Sequence, residues 1–347
     1  MVALRKAVLK TAEGGIVAAI GSVAERLYYD AAAGDAASLE FRAVVTDIRL
    51  DSHAGMESGQ KEQLWQVALD RTAFYPVGGG QPWDTGVLVA TAKSGAVLEV
   101  PVERVEEDDA GEVWHFVRKP LPEGTEVVGR VDAERRMDHA QQHTGQHLLS
   151  AMFLREMGAP TVSFHLAPLN AGAGSVTIDL AVEKVSEEEL RRVEAAANRV
   201  IYEDRPMRPT WVEREEAEAM LARGELRKLP ERAGRMRIVE MEGVEFNACG
   251  GTHVRSTGGI GGLLVRRVEK VKQGQRVEFC CGLRAMRAAG RDYARLRELG
   301  ALLSVGPADL TGRVAGLIED RKAAAKELKR LQNQLRAQTQ LPQAPDR

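Results

Sequence analysis

The pattern of apolar and polar positions changes along the 347-residue chain, and the change predicts two kinds of structure. The first third contains short runs of β-branched and aromatic residues separated by glycine, proline and aspartate, as in a small β-barrel or meander. His115 lies inside the last of these runs, so we expect a packed strand histidine there. The predicted strands are 41–45, 64–69, 87–90 and 112–117.

Helical periodicity follows in the middle of the chain. Residues 137–157 contain no proline, and a helix is predicted there by an apolar stripe of Leu148, Leu149, Met152 and Phe153. A second helix is expected at 187–201, opened by Ser186, and strands are expected at 238–244 and 263–268. Because helices and strands mix without a regular βαβ repeat, the expected class is α+β.

A heptad-like pattern follows the break at 300–307. Five of six positions at alternating spacings of four and three are apolar, in the set Leu317, Arg321, Ala324, Leu328, Leu331 and Leu335. This predicts either a short coiled coil, which could join two copies of the chain, or an amphipathic helix packed on its own domain.

Composition narrows the possible function classes. The chain has 48 Lys and Arg against 50 Asp and Glu, and its net charge of −2 gives no global attraction to nucleic acid, so such binding requires a local basic patch. No apolar run is long enough to span a membrane, and the first residues lack the apolar core of a secretion signal. Three cysteines, two of them adjacent, argue against a disulfide framework and favour a cytoplasmic location.

Two groups of residues have the chemistry of metal ligands. His139, His143 and His147 are spaced by four residues and share one face of the predicted helix, although a solvated polar face would show the same pattern. Cys249 and His253 lie four residues apart across two glycines, which favour a tight loop. Cysteine with two or three histidines is a donor set that zinc prefers, so the two pairs together predict a zinc site. The alternative for the second pair is a buried cysteine beside a glycine turn.

A glycine-rich segment follows Phe74-Tyr75-Pro76-Val77. Its three glycines, which include Gly79, allow a backbone to approach another group closely, and the Gln81 amide can both donate and accept. The segment is not a P-loop, because no Lys-Ser/Thr follows. A plain turn between strands is the alternative.

Basic residues are concentrated after the Cys-His loop. Residues 255–291 contain nine Lys and Arg against two acids, Glu269 and Glu278. The pattern predicts either contact with a phosphate backbone or a solvated charged face. The candidates for RNA binding are Arg266, Arg267, Lys270 and Lys272.

These motifs and their order resemble the alanyl-tRNA editing family, which includes free-standing editing proteins of the AlaX type and the editing domain of alanyl-tRNA synthetase. The matching pieces are Phe74 to Gln81, His143-Thr144-Gly145-Gln146-His147-Leu148-Leu149, Val162-Ser163-Phe164-His165, and Cys249-Gly250-Gly251-Thr252-His253-Val254 with Thr257-Gly258 and Ile260-Gly261. The resemblance implies a small N-terminal β-barrel, an α+β editing domain and a C-terminal helix. It selects His143, His147, Cys249 and His253 as ligands of one zinc ion and leaves His139 as a bystander.

The implied function is the trans-editing hydrolysis of mischarged tRNA(Ala) that carries serine or glycine. Thr72, Gly79 and Gln81 are the expected substrate contacts. The Thr72 hydroxyl is the first candidate reader of serine and Gln81 the second, although a β-branched residue at position 72 also suits a barrel strand. Four protein ligands are typical of a closed structural zinc site, so either one ligand gives way to water or substrate, or the metal orients the substrate. The alternatives are a non-catalytic zinc-dependent tRNA-binding module and a fragment of alanyl-tRNA synthetase.

The patterns and the resemblance divide the chain into four predicted domains. They are an N-terminal extension (1–23), a β-barrel domain (24–120), a zinc-dependent editing domain (121–299) and a helical arm (300–347). Because the resemblance begins near Ala24, we expect the extension to be dispensable for folding.

Overall fold

The computed structural model describes residues 7–10, 16–19, 23–51, 63–169, 176–231 and 234–339. The chain divides into two compact units, Met1–Ala285 and Met286–Arg347. Parts of the predicted extension and of the predicted arm lie outside the described residues, and the four domain boundaries stay predictions. Within the described ranges, no helix is both long and apolar enough to cross a membrane.

The N-terminal half of the first unit is a β structure. Its elements are β1 (Ala7–Lys10), β2 (Ile16–Ala19), β3 (Glu25–Arg26), α1 (Ala36–Leu39), β4 (Glu40–Leu50), β5 (Trp65–Leu69), β6 (Arg71–Thr72), β7 (Gly86–Thr91), β8 (Val97–Glu107), β9 (Val113–Val117) and β10 (Glu126–Val131). Six of the strands close into an antiparallel barrel in the order β10-β4-β5-β9-β8-β7, so the expected barrel is confirmed. All four predicted strands belong to it, whereas β8 and β10 were not predicted from the sequence.

The barrel encloses its own apolar core. Along β4, Phe41, Ala43 and Val45 point inward while the residues between them are exposed, which is the period of two that a half-buried strand requires. His115 is buried among these residues, as expected of a packed strand histidine. Its Nδ1–H donates to the Val67 carbonyl (3.0 Å), so its Nε2 accepts from the Thr72 hydroxyl (2.8 Å).

The rest of the first unit mixes helices with two antiparallel sheets, so the expected α+β class is confirmed. The sheets are ordered β11-β12-β17-β16 and β13-β14-β15. The elements are α2 (Ala133–Met157), β11 (Thr161–His165), β12 (Val176–Leu180), α3 (Glu187–Tyr202), β13 (Met207–Val212), α4 (Arg214–Ala222), β14 (Met236–Met241), β15 (Glu245–Ala248), β16 (Leu263–Val271), β17 (Gly274–Cys281) and α5 (Gly282–Leu303), the last of which continues into the second unit.

Helix α2 is the central element of the first unit. It begins after Asp132, whose carboxylate caps the helix by accepting from Arg135 N (3.1 Å), and it ends at Gly158 in the left-handed conformation. The helix is buried along most of its length. Arg136, which is fully buried, forms an ion pair with Asp84 and donates to the Ser38 carbonyl (3.0 Å), so it ties the helix to the barrel end.

The second unit contains the expected C-terminal helix, α6 (Leu310–Thr339). The heptad positions Leu317, Leu328, Leu331 and Leu335 are exposed on it. Pairing of two copies of the chain through this helix stays a prediction.

Candidate metal centre

The four predicted ligands meet at one point. Helix α2 presents His143 and His147 one turn apart, with their rings stacked at 5.1 Å, while Cys249 and His253 come from the loop after β15. The Cys249 Sγ lies 3.3 Å from the Nε2 atoms of both His143 and His253. One donor atom from each of the four residues lies within 4.8 Å of the others, so the group could hold a metal ion. The donor set of three imidazoles and one thiolate is consistent with zinc.

Each histidine ring has an oxygen atom beside its Nδ1 atom, within hydrogen-bond distance for His143 and His253 and as a charge contact for His147. His143 Nδ1 lies 2.7 Å from Gln81 Oε1, His147 Nδ1 lies 3.4 Å from Glu245 Oε1, and His253 Nδ1 lies 3.2 Å from Thr144 Oγ1. Because these oxygens accept the Nδ1 protons, the Nε2 lone pairs remain available for a metal. The resemblance to the editing family selected the four candidate ligands, but nothing in the sequence indicated Glu245 or Thr144.

Gln81 connects helix α2 with the loop that follows β15. Beyond its contact with His143, its Oε1 accepts from Thr252 N (3.0 Å) and its Nε2 donates to Thr252 Oγ1 (2.9 Å). A tight turn in which Gly79 adopts a φ of +55° presents the amide, and it is closed by a bond from Gln81 N to the Gly78 carbonyl (2.9 Å). The glycine segment is therefore a turn whose following glutamine reaches the donor group.

The Cys-Gly-Gly-Thr-His loop packs tightly on helix α2. A Cβ atom at Gly251 would lie 2.0 Å from His143 Cε1, so only glycine fits at this position. Arg237, which is buried, donates to the carbonyls of Cys249 (2.9 Å) and Gly251 (3.0 Å). These contacts fix the loop that carries two of the four donors.

Two ligands have the protonation states that metal binding requires. Burial opposes ionisation of Cys249, but the neighbouring His143 and His253 outweigh it, and the pKa of the thiol falls well below its usual value. Burial lowers the pKa of His253 to about 3, so its ring is neutral. A thiolate and neutral imidazoles are the forms that bind metal.

His139 does not belong to the group. It is buried, and neither ring nitrogen has a hydrogen-bond partner among the described residues. Burial, followed by the charges of Arg135 and Arg284, lowers its pKa to about 3. The remaining cysteines, Cys280 and Cys281, are buried on β17 and form no disulfide within the described residues.

The other candidate residues form their contacts with groups outside the four donors. The Thr72 hydroxyl bonds to His115 and accepts from Phe74 N (3.1 Å), both within the barrel. The four basic candidates, Arg266, Arg267, Lys270 and Lys272, are exposed on or just after β16.

The surface around these basic residues carries both signs of charge. Arg267 pairs with Glu269 (3.0 Å) and faces Glu278 across the strands, while Arg276 pairs with Asp179 (2.7 Å) on the neighbouring strand. Acids from three strands therefore offset the basic run that the sequence shows. The substrate and RNA contacts all stay predictions.

Two family models match the chain. Residues 9–135 match the family described as tRNA synthetases class II (A), and residues 236–278 match the threonyl and alanyl tRNA synthetase second additional domain. The resemblance to the alanyl-tRNA family is confirmed. The second match covers Cys249 and His253, so it contains half of the donor group.

Curated relatives agree with this assignment. The chain is 36% identical over 282 residues to the alanine–tRNA ligase of Pyrococcus abyssi, a match that covers 78% of the chain and 29% of the relative. It is 34% identical over 316 residues to the enzyme of Archaeoglobus fulgidus, covering 89% of the chain and 31% of the relative. The chain thus spans about three tenths of the length of the curated relatives it matches.

Proposed function

We propose that the chain is a trans-acting editing hydrolase, which removes serine or glycine from mischarged tRNA(Ala) in the cytoplasm with the help of one zinc ion. The observation that carries this proposal is the donor group, in which three imidazoles and a thiolate converge on one point. An oxygen atom lies beside the Nδ1 atom of each of the three rings. The similarity to alanine–tRNA ligases supports tRNA(Ala) as the RNA.

The substrate is an ester between an amino acid and the terminal ribose of the tRNA. His143, His147, Cys249 and His253 would hold the zinc ion, which would supply a Lewis acid for the ester carbonyl once one of the four ligands gives way to the substrate. The substrate approaches from the side of His147 and Cys249, because these are the partly exposed ligands while His143 and His253 are buried. Gln81, Thr144 and Glu245 hold the rings in place, so little reorganisation is needed when the substrate arrives.

Hydrolysis of seryl-tRNA(Ala) without ATP tests the proposal. The chain should release serine faster than it releases alanine from the same tRNA, and the Cys249→Ala variant should lose most of this activity together with its zinc. Cys280→Ala is the matched control, since this cysteine lies outside the donor group, and it should keep both.

Two other outcomes would identify the alternatives. A chain that binds the tRNA in a zinc-dependent manner but leaves the ester intact is a binding module. A chain that has no activity alone, but gains it when joined to the remaining parts of an alanine–tRNA ligase, acts as a fragment of that enzyme.

We propose that Thr72 determines the selectivity for serine, which requires its hydroxyl to exchange its bond to His115 for a bond to the substrate. A hydroxyl that bonds to the serine side chain is left unpaired by alanine, which is how a small site can discriminate strongly between the two. The Thr72→Val variant should hydrolyse seryl and alanyl esters at more similar rates. An unchanged ratio would remove Thr72 from the selectivity argument.

A further inference from the structure

A cleft lies between the end of helix α3 and the glycine-rich loop that precedes β16. Its volume is about 680 Å³, within the range of about 300–1,000 Å³ that is typical of small-molecule sites. Its lining is formed by four glycines of the loop together with Asn198, Ile201, Tyr202, Asp204 and Ser256. These residues do not belong to the donor group, so the cleft is separate from the site of the proposed hydrolysis.

Tyr202 presents an exposed aromatic ring to the cleft. It is the last residue of α3, and it is 94% exposed although its neighbours Val200 and Ile201 are buried. The protein therefore makes almost no use of this ring for its own packing. An aromatic face that remains in contact with solvent can bind a cation, above all a planar one.

Asp204 adds a carboxylate whose position is fixed by the loop. Its Oδ1 atom accepts from Gly258 N (2.9 Å) and from the Ser256 hydroxyl, whereas its Oδ2 atom has no hydrogen-bond partner among the residues that the structure describes. An added Cβ at Gly258 would overlap the same carboxylate, so glycine is required for this contact. One oxygen is thus held by the loop, and the other is available to a ligand.

The charge of the cleft favours a cation. The C-terminal end of a helix carries a partial negative charge, and the carboxylate described above follows directly after the end of α3. Among the basic residues close in sequence, Arg205 pairs with Glu203, and Arg255 pairs with Asp35. Arg199, in the last turn of α3, does not line the cleft. Because charges act over about 8 Å at physiological salt, the phosphates of a nucleic acid bound here would be repelled.

From these features we propose that the cleft is a docking site for an arginine side chain of a partner protein, an interaction that is independent of the proposed hydrolysis. The planar guanidinium lies on the Tyr202 ring while one of its N–H groups donates to Asp204 Oδ2. Lysine offers the same charge without the plane, so it should bind less tightly. The cleft is larger than one side chain, and it therefore has room for the backbone on either side of the arginine.

The experiment compares two peptides of equal charge, Gly-Ser-Arg-Ser-Gly and Gly-Ser-Lys-Ser-Gly, both blocked at their ends. Saturation-transfer difference NMR, which detects weak binding, gives the dissociation constant of each peptide for the full chain at physiological salt. The arginine peptide should bind about two- to fivefold more tightly, which is the size of one exposed contact between a cation and an aromatic ring. Tyr202→Ala should remove this preference, whereas Tyr202→Phe should retain most of it.

A change at Asp204 tests the carboxylate separately from the ring. Asp204→Asn removes the charge but keeps an oxygen for the loop, and asparagine tolerates the left-handed backbone that this residue adopts (φ of +51°). The variant should bind the arginine peptide up to about fivefold more weakly, as expected of an exposed ion pair. Glu187→Gln is the matched control, because it neutralises an exposed carboxylate at the start of the same helix, and it should bind both peptides as the wild type does.

Three results would contradict the arginine site. The first is equal binding of the two peptides by the wild-type chain, and the second is a preference for arginine that survives in Tyr202→Ala. The third is an uncharged tRNA minihelix whose binding falls in Tyr202→Ala, because the cleft would then bind a nucleic acid. Thermal unfolding and zinc content should be the same in all the variants as in the wild type, so a lost preference reports on the cleft and not on the fold.

Discussion

Glu245 lies outside the donor group and contacts the ring of His147, one of its four candidate ligands. It lies 3.4 Å from His147 Nδ1 and forms an ion pair with Arg227. Glu245→Gln should therefore weaken zinc binding by about 10–100-fold, the usual cost of removing such a partner. Competition with a chromophoric chelator measures this affinity. Glu242→Gln, which changes an exposed carboxylate that pairs with Arg208, should bind zinc as the wild type does.

The resemblance to the editing family identifies the candidate ligands but not the groups that orient them. The four-residue spacing on a helix offers His139, His143 and His147 alike, and the two glycines between Cys249 and His253 indicate a loop. Glu245 has no such signal, since it is one carboxylate among many until the hairpin of β14 and β15 brings it beside His147.

The buried ion pair between Arg136 and Asp84 joins helix α2 to the barrel. Arg136→Met would leave the Asp84 carboxylate buried without its partner and should lower the free energy of unfolding by about 3–5 kcal/mol. Urea denaturation measures the loss. The control is Arg130→Met, because Arg130 and Glu40 form an exposed pair, and there we expect a loss below about 1 kcal/mol.

The barrel interior responds to acid through His115. Burial lowers its pKa from 6.5 to about 4, although the bond to Val67 acts in the opposite direction. Above pH 6.5 the folded and unfolded chains are both neutral at this residue. Between pH 6.5 and 4 only the unfolded chain takes up the proton, so the free energy of unfolding should fall by about 3 kcal/mol over this interval.

Urea denaturation at a series of pH values checks this contribution. His115→Asn removes the titrating group, so its stability should fall less steeply with acid than that of the wild type. Identical slopes would show that another group causes the acid sensitivity.

Among the elements, prediction succeeded where a single segment carries its own signal, a helical apolar stripe or a run of β-branched and aromatic residues. Helix α2 and the barrel strands β4, β5, β7 and β9 were identified in this way. Strand β8 was missed because charged residues and Pro101 interrupt its apolar positions, and β10 because it follows a proline-containing turn that resembles a linker. Their places are determined by partners elsewhere in the barrel.

For the whole molecule, a bound metal should contribute directly to stability. An ion that binds only the folded chain, at about 1,000 times its dissociation constant, adds about 4 kcal/mol to the free energy of unfolding. Removing zinc with a chelator should lower the unfolding midpoint by a corresponding amount. Cys249→Ala should show little dependence on added zinc, and Cys280→Ala should behave as the wild type.

The residues of the donor group are also synthesised at different times. His143 and Cys249 are 106 residues apart, and Gln81 lies 171 residues before its partner Thr252. During synthesis the histidine pair leaves the ribosome long before the Cys-His loop exists, so the early chain offers a metal only two of its four donors. Capture of the ion therefore belongs to the end of folding, and a chain that carries it has already brought its barrel, helix and loop together.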